Sequence, residues 1–585
     1  MNEDNSHSLE RRYIQHVLNG DFKDDKVFNG IIEAKILGKT RELKGHGMQN
    51  FRHNEDVDAL FGLIHAICPR AYREISQHIP LRSERSIKHK ISTSPRFPLG
   101  IQDATYEFVE TYCQDYGYPR GAPLSLAVDD TKLFSALRPK GNSGLKFQGV
   151  ENPQFTFPLL RPLYDGIKQK WFIVGAIGDP IEVPGVDTLH ATLDRLEKNP
   201  PTMGTKLRLW TLQIPLPRVP PLVIAITPIE AKVKGPQLVE WQVRLAKGLI
   251  SWGFRIIASG GDGAAVEHIV IELWDLDGNI WVIFQDAKHG RKTFWNNAAS
   301  SARGLVLGNY VVYFEQMYTL AMQPNSPMYP RDWKNRDRMD DRATARLSSA
   351  DTLQQAAEDP IKNLGLVVYL FVFGELIDAY QSRTLSHHER AKIAIRTRLF
   401  LCTWRMYLQK AGYSEARHFI SKEAADIFEI LINGIVGLIV IHRDHLGDKS
   451  CPLLPWFVAS EPNEHAFSGL RDISEDFKLQ EAILIVPKLR AKMQAAVRTD
   501  DIDFGPLGQY PTDLELSAAY KIALEENNCL WSLLGIHLSD IVAAPDPGAA
   551  LIAQPAPDPN FEALYLNEDE DVDQQSESTA AEQLQ

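Results

Sequence analysis

The chain has 585 residues, 44% of them hydrophobic and 24% charged, with 38 Gly and 35 Pro, which excludes fibrous, collagen-like and wholly unfolded classes. Its formal charge of −12 comes from 63 Lys and Arg against 75 Asp and Glu. Ten of the acids follow Ile541, where no Lys or Arg occurs; the remaining 65 acids nearly balance the 63 bases, so charge neither demands nor excludes a nucleic-acid partner.

Residues 1–44 are polar and weakly patterned and are expected to be loose. Over 45–115 a helical segment is predicted, because Val57, Leu60, Phe61, Ile64 and Ile67 recur at helical spacing and Pro69 punctuates them. Residues 116–301 carry short apolar runs bounded by Gly, Pro or Asp, the pattern of buried strands: Leu124–Val128, Trp171–Ile177, Leu222–Ile226, Phe254–Ala258 and Ile280–Phe284. Between Gly235 and Gly253, Leu238, Trp241, Leu245 and Leu249 predict an amphipathic helix. Long helices are expected over 302–455. The apolar run Ile430–Ile441 among them is too short for a membrane span and reads as a buried helix. Residues 456–544 return to helices, one of them bearing Glu464, and 545–585 read as a disordered acidic end.

The five cysteines are scattered without a CxxC, so they predict reduced thiols of the cytosol or nucleus and no zinc module. The polar N-terminus lacks the apolar core of a signal peptide, so a soluble intracellular protein with no membrane partner is expected.

Three acidic positions stand out. Asp129, with Asp130 beside it, ends an apolar run; Asp262 sits in a Gly-Gly-Asp-Gly turn after another; Glu464 opens a helix far downstream. Taken singly, each is what a turn, a helix cap or a solvated helix would also need. Together they suit phosphodiester chemistry, in which hard oxygen ligands hold two Mg²⁺ (or Mn²⁺) ions about 4 Å apart. Carboxylates at the ends of adjacent central strands, joined by one from a neighbouring helix, imply an α/β fold. The expected architecture is a ribonuclease-H-like mixed sheet interrupted by a large all-α insertion, preceded by a helical segment. Strand alternation leaves Asp129 and Asp130 as rival first ligands.

Several segments resemble one family. Cys68–Ser92 (CPRAYREISQHIPLRSERSIKHKIS) is similar to the segment before the catalytic core of P-element-type and THAP-domain transposases. Gly261–Leu273 and Gln285–Asn297 (QDAKHGRKTFWNN) resemble that family's second-aspartate turn and its DPxHLxKxxRN motif. Arg338–Ser349 resembles the start of its inserted helical domain, and Ser460–Phe477 its glutamate helix, related also to the hAT-type ERxFS helix. The resemblance implies Asp129, Asp262 and Glu464 as the catalytic triad, with Asp130 as the alternative metal ligand. It places His289, Lys292, Asn296, Arg338 and Arg342 near DNA, and it implies a nuclear protein that associates with DNA and forms homo-oligomers. The motif departs from the family where Ala287 follows Asp286 in place of Pro, and where FVASEPNE precedes the glutamate helix.

Two basic stretches could track phosphates: Arg70–Arg96, with seven Lys or Arg against two acids, and Gln381–Lys410, with seven against one. No GxxxxGK[ST] motif occurs, so no nucleotide site is assigned. A 3′–5′ exonuclease on the same sheet would want an acid two residues after the first Asp, where Thr131 or Lys132 stands. The expectation is a transposase-derived protein that cuts or joins DNA strands with two metals. The alternative is a catalytically inactive, domesticated derivative serving as a DNA- or protein-binding scaffold.

Overall fold

Residues 9–43, polar enough to be expected loose, form two helices in the computed structural model, α1 (Leu9–Asn19) and α2 (Lys26–Leu43). The Asp25 carboxylate accepts the Phe28 N–H at 2.9 Å, and the rings of Tyr13, Phe22 and Phe28 cluster at the turn between them. A capped turn and good helix formers, with Ala34 buried and Ile31 packed on the core of the next helices, make up for the missing long apolar period. The structure describes residues 9–542 except 48, 50, 94–96, 99, 134–161, 166–169, 175–176, 199–202, 217–218, 231–232, 234, 262–272, 277, 301–302, 335–339, 447–450, 475 and 498–508.

The predicted helical segment is α3 (Glu55–Ile67), α4 (Pro69–Ser76), α5 (Glu84–Thr93) and α6 (Asp103–Asp115). Pro69 opens α4, the helix position where a missing N–H costs nothing. Val57, Phe61, Tyr72 and Ile87 close a small core of their own.

There follow β1 (Pro123–Lys132), β2 (Pro162–Asp165), β3 (Lys170–Ile173), β4 (Ile181–Val183), α7 (Val186–Lys198), β5 (Lys206–Gln213), β6 (Leu222–Ile229), α8 (Gly235–Ser251), β7 (Arg255–Gly261), β8 (Leu273–Leu276), β9 (Asn279–Gln285) and α9 (Ala287–Ala298). Six strands make one sheet in the order β6-β5-β1-β7-β9-β8. β1, β5 and β6 form an antiparallel meander, β7 runs parallel to β1, and β9 runs parallel to β7. The fold is ribonuclease-H-like. The predicted strand at Trp171–Ile177 lies elsewhere: Lys170–Ile173 pairs in a separate antiparallel sheet, β2-β3-β4. The middle of the meander is β5, which the apolar runs did not reveal because Arg208 interrupts it.

Close strand packing is visible at Gly260, where an added Cβ would overlap the Phe284 ring on β9. One core cluster joins β1, β5 and β6 to α6 and α8. A second runs from β7 and β9 through α9 into the helical part, so the helices continue the core of the sheet.

That part opens with the hairpin β10 (Leu305–Leu307) and β11 (Tyr310–Val312) and continues as α10 (Phe314–Ala321), α11 (Arg331–Lys334), α12 (Asp341–Leu347), α13 (Ala350–Ala357), α14 (Pro360–Gln381), α15 (His387–Ala411), α16 (Glu415–His418) and α17 (Lys422–Asp444). α14 and α17 are long and apolar enough to cross a membrane by length and composition, yet most of each apolar window is buried within the protein. α15 starts at a Ser386 cap, whose hydroxyl accepts the Glu389 N–H, and ends at Gly412 in the left-handed region at φ 75°. Then come α18 (Glu461–Ile473), α19 (Leu479–Val497) and α20 (Asp513–Leu533). α18 and α19 belong to the core of the β1 side, whereas α20 packs on α15. Residues Met1–Ile536 and His537–Gln585 are two units, the second described only around α21 (Leu538–Val542).

Arg390, Lys392 and Arg396 of the basic stretch on α15 turn inward, whereas Arg398, Arg405 and Lys410 are exposed. Arg390 is fully buried and donates to the carbonyls of Ala379 and Ser382, and burial pushes its guanidinium down to about 10. Arg396, also buried, pairs with Glu375 and with Glu526 of α20. Lys392 pairs with Glu389 and Glu526, and Arg405 lies 3.9 Å from Glu415. Their charge is spent on holding helices together.

Candidate functional site

The site grows from the end of β1. Successive side chains of a strand point to opposite faces, so Asp129 and Asp130 diverge. Asp130 stands opposite Arg208 of β5, whose guanidinium donates to both its oxygens at 2.7 and 3.3 Å. Arg208 is only 3% exposed, so its charge requires that partner. Asp129 shares the other face with Ala127 and Thr131, and with Thr211, the cross-strand neighbour of Ala127. Its carboxylate accepts the Asp130 N–H at 2.6 Å.

α18 lies over this second face. Asn463 is fully buried and sits 2.6 Å from Thr211 Oγ1. With its amide turned so that nitrogen donates to Thr211, its oxygen accepts the N–H groups of Val128 and Asp129, each at 3.1 Å. Two turns on, Arg471 donates to Thr131 Oγ1 at 2.7 Å. Glu464, the neighbour of Asn463, rides on the helix that lies over the Asp129 face of β1.

The start of α18 is latched to the sheet as well. Asp286, 2% exposed, caps α9 by accepting the Lys288 N–H at 2.6 Å. Its other oxygen accepts both the N–H and the hydroxyl of Ser460 at 2.7 Å. In the sheet, Val128 is in register with Gly261, and Gly261 with Gln285. The ends of β1, β7 and β9 therefore stand side by side, with α18 anchored at the first and the third. Asp262, next in sequence after Gly261, lies outside the described residues, as does Arg338.

His289, Lys292 and Asn296 fall at helical spacing on α9. His289 and Asn296 are half-buried. Lys292 is buried, its ammonium 3.2 Å from Asp341 of α12 and 3.9 Å from Glu464. The opposite side of α9 meets the helical part: Phe294 stacks on Tyr369, and Asn297 accepts the Ser421 N–H at 2.7 Å, just before α17. Arg342 is exposed in the first turn of α12.

No family model matches the chain, and no curated protein matches it. A solved structure, the Drosophila P element transposase strand transfer complex, aligns over 85% of this chain and 100% of that chain, at 12% identity and a TM-score of 0.48. That likeness is too slight to carry an argument about chemistry.

Among the described residues no three His, Cys, Asp or Glu side chains stand close enough to hold a metal ion. The described candidates, Asp129 and Glu464, offer the hard oxygen donors that Mg²⁺ or Mn²⁺ prefers. The sequence pattern did not disclose Ser460, Asn463 and Arg471, which seat α18, or Asp341, which faces Lys292. The one signal was that all four fall inside segments quoted for the family resemblance.

Proposed function

We propose that this chain is a transposase-derived, metal-dependent nuclease or strand transferase acting on DNA, with Asp129, Asp262 and Glu464 as its carboxylates. The observation that supports it most is the seating of α18. A helix more than 300 residues downstream of β1 is held by Asn463 and Arg471 over the Asp129 face of that strand. A helix needed only to cover the sheet has no use for a buried amide that reaches two backbone N–H groups beside a carboxylate. Bound divalent ions would activate the attacking hydroxyl and stabilise the leaving oxygen. The chain's own part is to fix Asp129 through β1 and Glu464 through the Ser460 and Asn463 anchors, so that both carboxylates are pre-organised. Asp130 serves Arg208 instead.

A second reading, an inactive scaffold, is favoured by the Lys292–Glu464 pair and by the internal pairing of Lys392 and Arg396 on α15, which leaves less charge for phosphates. One experiment separates the two. Purified full-length chain is incubated with supercoiled plasmid and Mg²⁺ or Mn²⁺. Nicking that Asp129→Asn abolishes and Asp130→Asn leaves measurable supports the enzyme. Wild-type DNA binding without any metal-dependent nicking supports the scaffold.

A further inference from the structure

We propose that Lys292 is an internal counterion that a divalent cation must displace from Glu464. This rests on Glu464 being a cation ligand, as read above. The ammonium of Lys292 is sealed inside, its side chain 8% exposed, while its two partners, Asp341 and Glu464, are each 40% exposed. A buried ammonium needs compensating charge, and here two carboxylates from different parts of the fold share one cation. They are open to water and ions, and the lysine is not.

An arriving cation that binds Glu464 meets Lys292 at short range and repels it. Lys292 cannot leave, since α9 is fixed by the Asp286 cap and by Phe294 and Asn297 on its other side. It then leans on Asp341, 3.2 Å away. Cation affinity therefore depends on the charges of Lys292 and Asp341 as well as on Glu464. Because Asp341 opens α12, the inserted helices place a charge beside the site.

The test is Mn²⁺ binding by the full chain, followed by loss of the free-ion electron paramagnetic resonance signal, without DNA. Lys292→Met should tighten Glu464-dependent binding about tenfold, while Lys292→Arg, which keeps the charge, stays within about twofold of wild type. Asp341→Asn should weaken binding about threefold, and this effect should vanish in the Lys292→Met background. If Glu464→Gln weakens binding but Lys292→Met does not strengthen it, the counterion role is wrong and the ligand assignment stands. If neither wild type nor Lys292→Met shows Glu464-dependent binding, the ligand assignment falls and this inference with it. Should Lys292→Met fail to fold by near-ultraviolet circular dichroism, Asp341→Asn decides alone: unchanged or tighter binding overturns the proposal.

Discussion

Asp286→Ala removes the latch between the sheet and α18. The lost contacts are two hydrogen bonds from Ser460 to a buried carboxylate, each 2.7 Å, and the cap bond to Lys288. Hydrogen bonds to a charged group contribute about 1.5–3 kcal/mol each, and a cap about 1 kcal/mol. The Ser460 N–H is left buried and unpaired, so the lower end of that range understates the effect. The Ser460 pair alone then amounts to at least about 3 kcal/mol, or a hundredfold or more in the frequency with which α18 opens. Hydrogen–deuterium exchange of peptides across 458–473 reads that opening directly. Ser460→Ala keeps the backbone bond and should raise exchange only about tenfold. Exchange in α18 unchanged by Asp286→Ala, or changed equally by both variants, would refute the latch.

Other consequences are as concrete. His442 is buried beside the Tyr510 and His387 rings, and burial pushes its imidazole down to about 4 from 6.5. Its folded form resists protonation, so its contribution is whole above pH 6.5 and is lost as pH falls toward 4; that loss reaches about 3 kcal/mol. Urea midpoints measured over that range should fall less steeply for His442→Gln than for wild type. Gly260→Ala places a methyl against Phe284 and should destabilise by about 1–3 kcal/mol in urea unfolding, with partial recovery on adding Phe284→Leu. Arg208→Met, by removing the buried charge, should cost less stability than Asp130→Ala, which takes a carboxylate away from a guanidinium only 3% exposed.

What the sequence determined by itself were the elements whose evidence is local. β1, β6, β7 and β9 announce themselves as short apolar runs closed by Gly, Pro or Asp, and α8 and α17 as apolar periods of helical length. β5 escaped because Arg208 breaks its run, and that charge makes sense only once Asp130 stands across the ladder. α1 and α2 escaped because no long apolar period marks them; capping, a few rings and the contact of Ile31 with the small core of α3 to α5 hold them. Likewise Lys392 and Arg396 of α15 read as part of a surface track until Glu375 and Glu526 arrive from α14 and α20. The pairing of Asp130 with Arg208, and the docking of α18, were decided only in three dimensions. Asn463 meets Thr211 across 252 residues of chain, Ser460 meets Asp286 across 174, and Arg471 meets Thr131 across 340. A periodicity of two or 3.6 residues records which way a side chain faces within its own element. It holds no record of which element will face it, because that is set by the packing of segments far apart in the chain.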